Sequence, residues 1–395
     1  MTHLMNTYNR LPVAFIHGRG AWLTDEQGRE YLDALAGIAV NGLGHAHPRL
    51  VAALTEQVGR LIHTSNVYRV REQELLADRL CALSGLQEVF FGNSGSEANE
   101  GALKLVRLYG HQHGEPEAQT LVMERAWHGR TLATLAATGS EKARKGFDPL
   151  PSGFIRIPYN DITAAERAAA ADSRVRAVWI EVLQGEGGIQ VADLDYVRAL
   201  RRLCDERGLL LMIDEVQSGI GRTGKWFAHQ WAGITPDVMT LAKGLGSGMP
   251  IGALLAGGRA AGVFGPGQHG TTFGGGPLAM RAGLETLAIV EGEGLMQNAF
   301  EQGERVRAGL RRELTGVAGV VEVRGMGLMI GVQLDRPCGE LVKHALAAGL
   351  LINVTNDTVI RLLPPLILTA AEADQIVGRL APVIRGFLAP AAQAA

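Results

Sequence analysis

Three short apolar runs in the middle of the chain predict buried β-strands. They cover residues 175–180 (VRAVWI), 209–213 (LLLMI) and 238–242 (VMTLA), and their continuous hydrophobicity is typical of strands that are covered on both faces. Between the first two runs, apolar residues recur at every third position from Leu194 onward and Gly208 follows, which predicts an α-helix and its end. Strand, helix and strand in this order predict an α/β sheet that is mainly parallel.

The two ends of the chain show different patterns. A helix is predicted to begin at Pro48, and one long amphipathic helix is predicted from Met280 to about Leu314. Short strand-like pieces follow at residues 320–323 and 328–334. This change predicts a separate α/β domain at the carboxyl end.

Composition and charge exclude several classes of function. Of the 395 residues, 47% are hydrophobic, which is enough to bury a large core. Lys and Arg number 38 against 40 Asp and Glu, so the net charge of −2 provides no footprint for nucleic acid and no basic patch for anionic membranes. We see no secretory signal, no membrane span and no zinc-binding spacing of the three cysteines, so a cytoplasmic protein without a metal is expected.

A charged residue directly follows each of the three predicted strands: Glu181, Asp214 and Lys243. Ligands of open parallel sheets bind beyond the carboxyl ends of the strands, so these side chains outline a candidate pocket. The alternative interpretation is that each charge only marks the point where a strand reaches solvent.

A turn rich in glycine and serine, residues 92–97 (GNSGSE), follows an apolar run and opens a predicted helix. The free amides at a helix start, beside small residues such as Gly95 and Ser96, suit a phosphate group. Ser94 and Glu97 also form a capping-box pattern, which requires no ligand. Both interpretations stay open at this point.

Lys243 and Asp214 together match the chemistry of pyridoxal 5′-phosphate. A lysine that follows a buried strand can lose its proton through desolvation and become nucleophilic. The cofactor requires a lysine that forms an imine with its aldehyde and a carboxylate that keeps its ring nitrogen protonated. Trp127 is a candidate aromatic plate for the ring, with a core tryptophan as the alternative.

A nucleotide-dependent enzyme is an alternative, because residues 219–224 (GIGRTG) match the dinucleotide pattern G-x-G-x-x-G. Asp214 and Glu215 lie just upstream and would oppose a pyrophosphate, and no long helix is predicted to open at Gly224. As a triphosphate loop the segment lacks the required serine or threonine, because Trp226 occupies that position. A non-catalytic binding protein is a third class.

Three further charged residues are candidates for binding a substrate. Arg361 lies in the apolar segment 359–365 and must find a carboxylate from the protein or from a ligand. Arg130 lies in a turn beside Trp127, and Glu186 lies in a glycine-rich loop past a strand end. For both arginines, a plain surface position is the alternative.

Four motifs together resemble the class III pyridoxal-phosphate aminotransferases. They are residues 93–99 (NSGSEAN), 181–188 (EVLQGEGG), 214–224 (DEVQSGIGRTG) and 242–244 (AKG). The similarity extends, in order and at the family's spacing, from about Tyr8 to about Leu388. Within the family, residues 37–48 and the compact length are most similar to the acetylornithine aminotransferases.

The resemblance implies a fold-type I homodimer whose active sites lie at the subunit interface. Gly95 and Ser96 are expected to hold the cofactor's phosphate, and Thr272 is expected to reach the phosphate bound by the partner subunit. Three regions are implied: 1–55 as part of a small domain, 56–280 as the large cofactor-binding domain, and 281–395 as the rest of the small domain.

The resemblance also implies how the cofactor ring is held. Lys243 is expected to form the internal aldimine, and Asp214 is expected to pair with the pyridinium nitrogen. Gln217 is expected to contact the phenolic oxygen, while Trp127 stacks on the ring in place of the phenylalanine that the family often has.

The same resemblance assigns the substrate-binding residues. Arg130 is expected to bind the α-carboxylate of the amine donor, with Thr271 nearby. Arg361 is expected to bind the α-carboxylate of 2-oxoglutarate or glutamate, and Glu186 is expected to shield this arginine during the other half-reaction.

The activity implied is transfer of the δ-amino group of N2-acetylornithine to 2-oxoglutarate, in arginine biosynthesis. The alternative is another ω-aminotransferase on the same scaffold, acting on ornithine, succinylornithine, succinyldiaminopimelate or 4-aminobutyrate. Gly276 replaces an asparagine that is common in the family, so any contact of that side chain is missing here.

Overall fold

A computed structural model describes residues 3–389 of the chain, and a seven-stranded sheet lies at its centre. Across the sheet, the strands are Glu88–Gly92, Gly252–Ala256, Val238–Leu241, Leu210–Asp214, Val175–Ile180, Gln119–Met123 and Phe154–Ile157. Neighbouring strands are parallel, except that Gly252–Ala256 is antiparallel to both of its neighbours. The predicted α/β class with a mainly parallel sheet is confirmed.

Helices cover both faces of this sheet. Side chains of strand Leu210–Asp214 pack alternately into one apolar cluster with helix Leu194–Arg207 and into another with helix Gly95–Gln112. Double coverage explains why the strands are continuously apolar in sequence. The other helices are Ala36–Ala39, Pro48–Arg60, Arg71–Ser84, Leu132–Ala137, Glu141–Arg144, Ile162–Ala171, Pro277–Gly292, Leu295–Glu313, Leu341–Ala347 and Ala370–Leu388.

The register of the three predicted strands brings their carboxyl ends to one edge of the sheet. Asp214 pairs with Thr240, and the residue before Asp214 pairs with Ile180. Glu181, Asp214 and the turn that contains Lys243 therefore follow one another along this edge. The sheet thus places the three charged residues where a ligand of a parallel sheet would bind.

The single long helix predicted from Met280 to Leu314 is wrong. Two helices, Pro277–Gly292 and Leu295–Glu313, occupy this stretch. Between them Gly294 has a φ of 64°, a left-handed conformation that a continuous right-handed helix cannot contain and that glycine adopts at little cost. The sequence pattern missed the break because apolar spacing continues on both sides of the glycine.

Three smaller sheets accompany the central one, and the first of them joins the two ends of the chain. One contains Phe15–Arg19, Trp22–Asp25, Glu30–Asp33 and Leu350–Leu351, and another contains Val320–Met326, Met329–Leu334, Val359–Leu362 and Asn353–Thr355. A two-stranded sheet pairs Leu183–Gln184 with Gln190–Val191. The parallel pairing of Leu350–Leu351 with Glu30–Asp33 agrees with a smaller α/β unit built from both ends.

The domain limits at residues 55/56 and 280/281 stay a prediction, and the outermost residues of the predicted regions lie outside the described ones. Within residues 3–389, no helix is both long enough and apolar enough to cross a membrane.

Candidate active site

A cavity of about 360 Å³ lies at the carboxyl edge of the central sheet. Segments from both sides of the sheet line it, including the start of helix Gly95–Gln112 and the loops that follow three strands. The predicted site residues that line it are Gly95, Ser96, Trp127, Glu186, Asp214, Gln217 and Lys243. The structure therefore brings together residues that are far apart in the sequence.

Asp214 is held firmly at the base of this cavity. Its Oδ2 accepts hydrogen bonds from Nδ1 of His128 and from Nδ2 of Asn99, each at 2.8 Å, and its Oδ1 accepts one from the backbone N–H of Val216 at 3.0 Å. Because the carboxylate only accepts, Nδ1 of His128 carries the proton. The carboxylate, 5% exposed, has a fixed orientation toward the cavity.

His128 and Asn99 line the cavity and hold Asp214, and neither was predicted as a site residue from the sequence. The imidazole of His128 is buried and stacks on Trp179, with ring centroids 3.7 Å apart. Asn99 also donates to the backbone carbonyl oxygen of His128 at 2.7 Å, so its side chain contacts both the Asp214 carboxylate and the backbone at His128. The available signal was Asn99 itself, a polar residue on the apolar face of helix Gly95–Gln112.

Lys243 stands in an unusual backbone conformation directly after the strand Val238–Leu241. Its φ of 39° lies in the left-handed region, where a non-glycine residue is strained, and such strain concentrates at functional sites. Burial lowers the pKa of Lys243, an effect that the negative charges of Asp214 and Glu186 oppose. Lys243 and Asp214 line the same cavity, and the hydrogen bonds described for Asp214 go to other residues.

The start of helix Gly95–Gln112 forms one wall of the cavity. Ser94 caps this helix, because its Oγ accepts a hydrogen bond from the backbone N–H of Glu97 at 3.2 Å. A Cβ atom on Gly129, whose φ is 141°, would lie 2.6 Å from Oγ of Ser96, so only glycine fits here. The cap by Ser94 is confirmed, but the reciprocal half of the predicted capping box is wrong, because the Glu97 carboxylate accepts from the backbone N–H of Asn93 instead of Ser94. The positive end of the helix still faces the cavity.

Glu181 ties two walls of the cavity together. Its carboxylate accepts hydrogen bonds from the backbone N–H groups of Trp127, at 2.8 Å, and Gly185, at 3.2 Å. Burial, reinforced by the charge of Asp214, raises the pKa of Glu181 to about 8. In the sequence, Glu181 is predicted only as one of the charged residues that outline the pocket, without a role of its own.

This shift predicts a pH dependence of stability in the cofactor-free protein. The pKa of this carboxyl group is higher in the folded chain than its ordinary value of 4.5, so its contribution to stability is fully present below about pH 4.5 and is lost progressively in the window from pH 4.5 to about pH 8. Relative to Glu181→Gln, the free energy of unfolding of the wild type should fall by up to about 1.4 kcal/mol per pH unit in this window. Urea denaturation at several pH values in this window measures the free energy of unfolding of the wild type and of Glu181→Gln. If this free energy changed with pH equally in the two proteins, the prediction would be contradicted.

Arg361 and Glu186 form an ion pair at the cavity, in which the arginine is buried and the glutamate is partly exposed. The Arg361 Nη1 atom lies 2.6 Å from Oε1 of Glu186 and 3.5 Å from Oε1 of Gln217, and Nε donates to Oδ1 of Asn353 at 3.0 Å. The arginine is 1% exposed, whereas the glutamate side chain is 33% exposed. Arg361 thus has the carboxylate partner that its apolar sequence context required.

Arg130, Thr271 and Thr272 are not among the residues that line the cavity. Arg130 is exposed, and its guanidinium carbon lies 4.8 Å from the centroid of the Trp127 ring. Oγ1 of Thr271 lies 3.4 Å from Nδ2 of Asn93, a residue of the cavity wall, while Thr272 is exposed. Arg130 and Thr271 therefore each lie next to a cavity residue, whereas the structure shows no contact between Thr272 and the described residues of the cavity.

The glycine-rich segment 219–224 does not form a nucleotide site. It folds into consecutive turns and opens no helix, which the dinucleotide motif requires. Arg222 is buried and donates to the carbonyl oxygens of Leu328 and Pro364. The alternative of a nucleotide-dependent enzyme therefore lacks its structural basis.

The sequence matches the family model of the class III aminotransferases over residues 4–384. The chain belongs to this family. It is 64% identical over 386 residues to acetylornithine aminotransferase 1 of Bordetella bronchiseptica, with 98% of each chain covered. It is 56% identical over 388 residues to the acetylornithine aminotransferase of Nitrosomonas europaea, with 98% of this chain and 99% of the relative covered.

Solved structures of other aminotransferases share the fold of this class III aminotransferase. The ornithine aminotransferase of Toxoplasma gondii has a TM-score of 0.94 at 33% identity, covering 98% of this chain and 93% of that one. The N-acetylornithine aminotransferase of Stenotrophomonas maltophilia has a TM-score of 0.84 at 37% identity, covering 96% and 98%. These matches extend over the central sheet and the smaller sheets alike.

Class III aminotransferases depend on pyridoxal 5′-phosphate, and the cavity of this aminotransferase fits that group. It offers a fixed carboxylate at Asp214, the amine of Lys243 and the start of a helix for the phosphate. A Cβ atom on Gly185 would lie 2.3 Å from Oε1 of Gln217, so the glycine leaves the room that Gln217 needs to reach the cavity.

Proposed function

We propose that this aminotransferase transfers the δ-amino group of N2-acetylornithine to 2-oxoglutarate, in arginine biosynthesis. The observation that carries the proposal is the identity of 64% and 56% to acetylornithine aminotransferases over nearly the whole chain. The buried arginine beside the cavity supports it, because an α-carboxylate requires such a partner.

The cofactor-binding roles are part of this proposal. Gly95 and Ser96 bind the phosphate through the start of their helix, and Trp127 lies against one face of the ring. Asp214 holds the proton on the ring nitrogen, and Gln217 contacts the phenolic oxygen. Support comes from the cavity that all five residues line.

When bound, pyridoxal phosphate supplies a conjugated ring that accepts the electron pair left on carbon when a proton is removed. Lys243 would perform the proton transfer: its neutral Nζ would accept the proton from the δ-carbon of the donor. The lowered pKa of Lys243 favours this role, because only the unprotonated amine can accept a proton. The hydrogen bonds from His128 and Asn99 keep the Asp214 carboxylate in place throughout.

Two arginines distinguish the two substrates. Arg130, with Thr271 nearby, binds the α-carboxylate of acetylornithine, whose reacting amine lies at the opposite end of the molecule. Arg361 binds the α-carboxylate of 2-oxoglutarate or glutamate, and the pair with Glu186 hides this arginine during the acetylornithine half-reaction. The distance of 2.6 Å between Arg361 and Glu186 supports a closed state of this switch.

Assembly as a homodimer in the cytoplasm completes the proposal. Thr272 of one subunit reaches the phosphate bound by its partner, and its exposed position on the isolated chain supports this. The exposed aromatic ring of Phe273, next to it, would be covered in such a dimer.

A panel of amine donors with 2-oxoglutarate tests the substrate. We expect kcat/KM for acetylornithine to exceed that for ornithine, succinylornithine, succinyldiaminopimelate and 4-aminobutyrate. The second candidate is an ornithine aminotransferase, which the TM-score of 0.94 to such an enzyme favours. Faster turnover of ornithine than of acetylornithine would select that candidate instead.

A further inference from the structure

The loop that carries Glu186 is fixed at both of its ends. At its start, the backbone N–H of Gly185 donates to the buried Glu181 carboxylate at 3.2 Å. At its end, Arg324 donates to the carbonyl oxygens of Gly188 and Ile189 at distances between 2.6 and 3.2 Å. The backbone of this loop therefore has little freedom to swing away from Arg361.

Close packing around Gly187 restricts the backbone of the loop at this glycine. A Cβ atom on Gly187 would lie 2.7 Å from Oε1 of Gln184 and 2.9 Å from the carbonyl oxygen of Arg125. Glu186 is thus left with side-chain rotation as its means of leaving Arg361. Its partial exposure provides the space for that rotation.

Thr355 holds the loop in place at Glu186. It is 5% exposed, and its hydroxyl donates to the backbone carbonyl oxygen of Glu186 at 2.6 Å, while its Oγ1 lies 3.4 Å from Oε2 of the same residue. The same strand, Asn353–Thr355, provides the Asn353 side chain that accepts from Nε of Arg361. One three-residue strand therefore orients both members of the ion pair.

We propose that Thr355 is a specificity-determining positioning residue, which favours the closed state of the Glu186–Arg361 pair and leaves opening to rotation of the Glu186 side chain. This inference rests on the substrate switch in the proposed function. It predicts that a dicarboxylate competes with Glu186 for Arg361. The apparent dissociation constant of the dicarboxylate then depends on the fraction of enzyme molecules in which the Glu186–Arg361 pair is open.

The test measures the dissociation constant of glutarate, a dicarboxylate without amino or keto group, for the holoenzyme by titration calorimetry. Glu186→Ala should tighten binding, because no carboxylate then competes. Thr355→Val removes the hydroxyl at nearly unchanged size and should tighten binding by about two- to tenfold, the effect of one hydrogen bond. Thr355→Ser, which keeps the hydroxyl, is the matched control and should bind glutarate like the wild type.

The double variant Glu186→Ala/Thr355→Val separates direct from indirect effects. If Thr355 acts through Glu186, the valine substitution should add nothing in the alanine background. The rates of the two half-reactions, measured with acetylornithine and with glutamate, should shift in favour of glutamate in Thr355→Val and in Glu186→Ala alike.

Two results would overturn the inference in different ways. If Glu186→Ala tightens glutarate binding but Thr355→Val does not, or if the valine effect persists in the double variant, the role of Thr355 is wrong and the switch stands. If Glu186→Ala itself leaves the glutarate constant and the ratio of half-reactions unchanged, the switch in the proposed function fails and the role of Thr355 fails with it.

Discussion

Replacing Lys243 with alanine should lower the rate of transamination by at least about 10⁴-fold and abolish the visible absorption band of lysine-bound cofactor. The amine of Lys243 is the group proposed both to bind the cofactor aldehyde and to move the substrate proton. Its strained φ of 39° and its place at the carboxyl edge of the sheet give it access to the cavity. Stopped-flow measurement of each half-reaction gives the loss of rate, and the absorption spectrum independently gives the loss of the visible band.

Lys225→Ala is the matched control for this prediction. The Nζ atom of Lys225 donates to the carbonyl oxygen of Gln230 and lies 4.4 Å from the Trp231 ring centroid, and Lys225 is not among the cavity-lining residues. This variant should keep the visible band and its activity. A Lys243→Ala protein that retained both would show that the cofactor lysine has been assigned wrongly.

Asp214→Asn should lower kcat by at least about 10²-fold while the fold is retained. The amide has the size of the carboxylate but no charge, so it cannot hold a proton on the ring nitrogen. Hydrogen bonds from His128 and Asn99 fix Asp214 in the wild type, and this geometry gives its charge a defined direction. Single-turnover kinetics with acetylornithine measure the loss of rate.

Glu215→Gln controls for the loss of any buried charge next to Asp214. Its carboxylate is also buried, but it accepts from Ser218 and His229 and does not line the cavity. This variant should lose stability in a thermal melt and keep most of its kcat. Equal losses of kcat in the two variants would contradict the specific role of Asp214.

The strands and their charged ends were predictable because local signals agree there. Residues 210–214 are apolar on both faces and end in an acid, and the following strand shows the same pattern before Lys243. The break at Gly294 was not predictable from periodicity, because apolar spacing continues on both sides of it. A left-handed φ shows itself only in the three-dimensional structure.

The partners of the site residues required the structure. Glu186 and Arg361 lie 175 positions apart, and His128 and Asp214 lie 86 apart, so no local pattern links them. Buried polar side chains such as Asn99 and Thr355 require hydrogen-bond partners, and the three-dimensional structure is needed to identify those partners. The resemblance of motifs identified Arg361 and Glu186 as candidates, but their contact depends on the packing of two distant segments.

Pairing between the two ends of the chain has a consequence for how the polypeptide is made. Strand Leu350–Leu351 lies beside strand Glu30–Asp33, and nearby Arg29 reaches the carbonyl oxygen of Ala347, 318 residues later. The amino-terminal strands cannot gain this neighbour until Leu351 has left the ribosome. Shortening the nascent chain before Leu350 should therefore leave the sheet edge open to other chains, which makes incomplete products prone to aggregate.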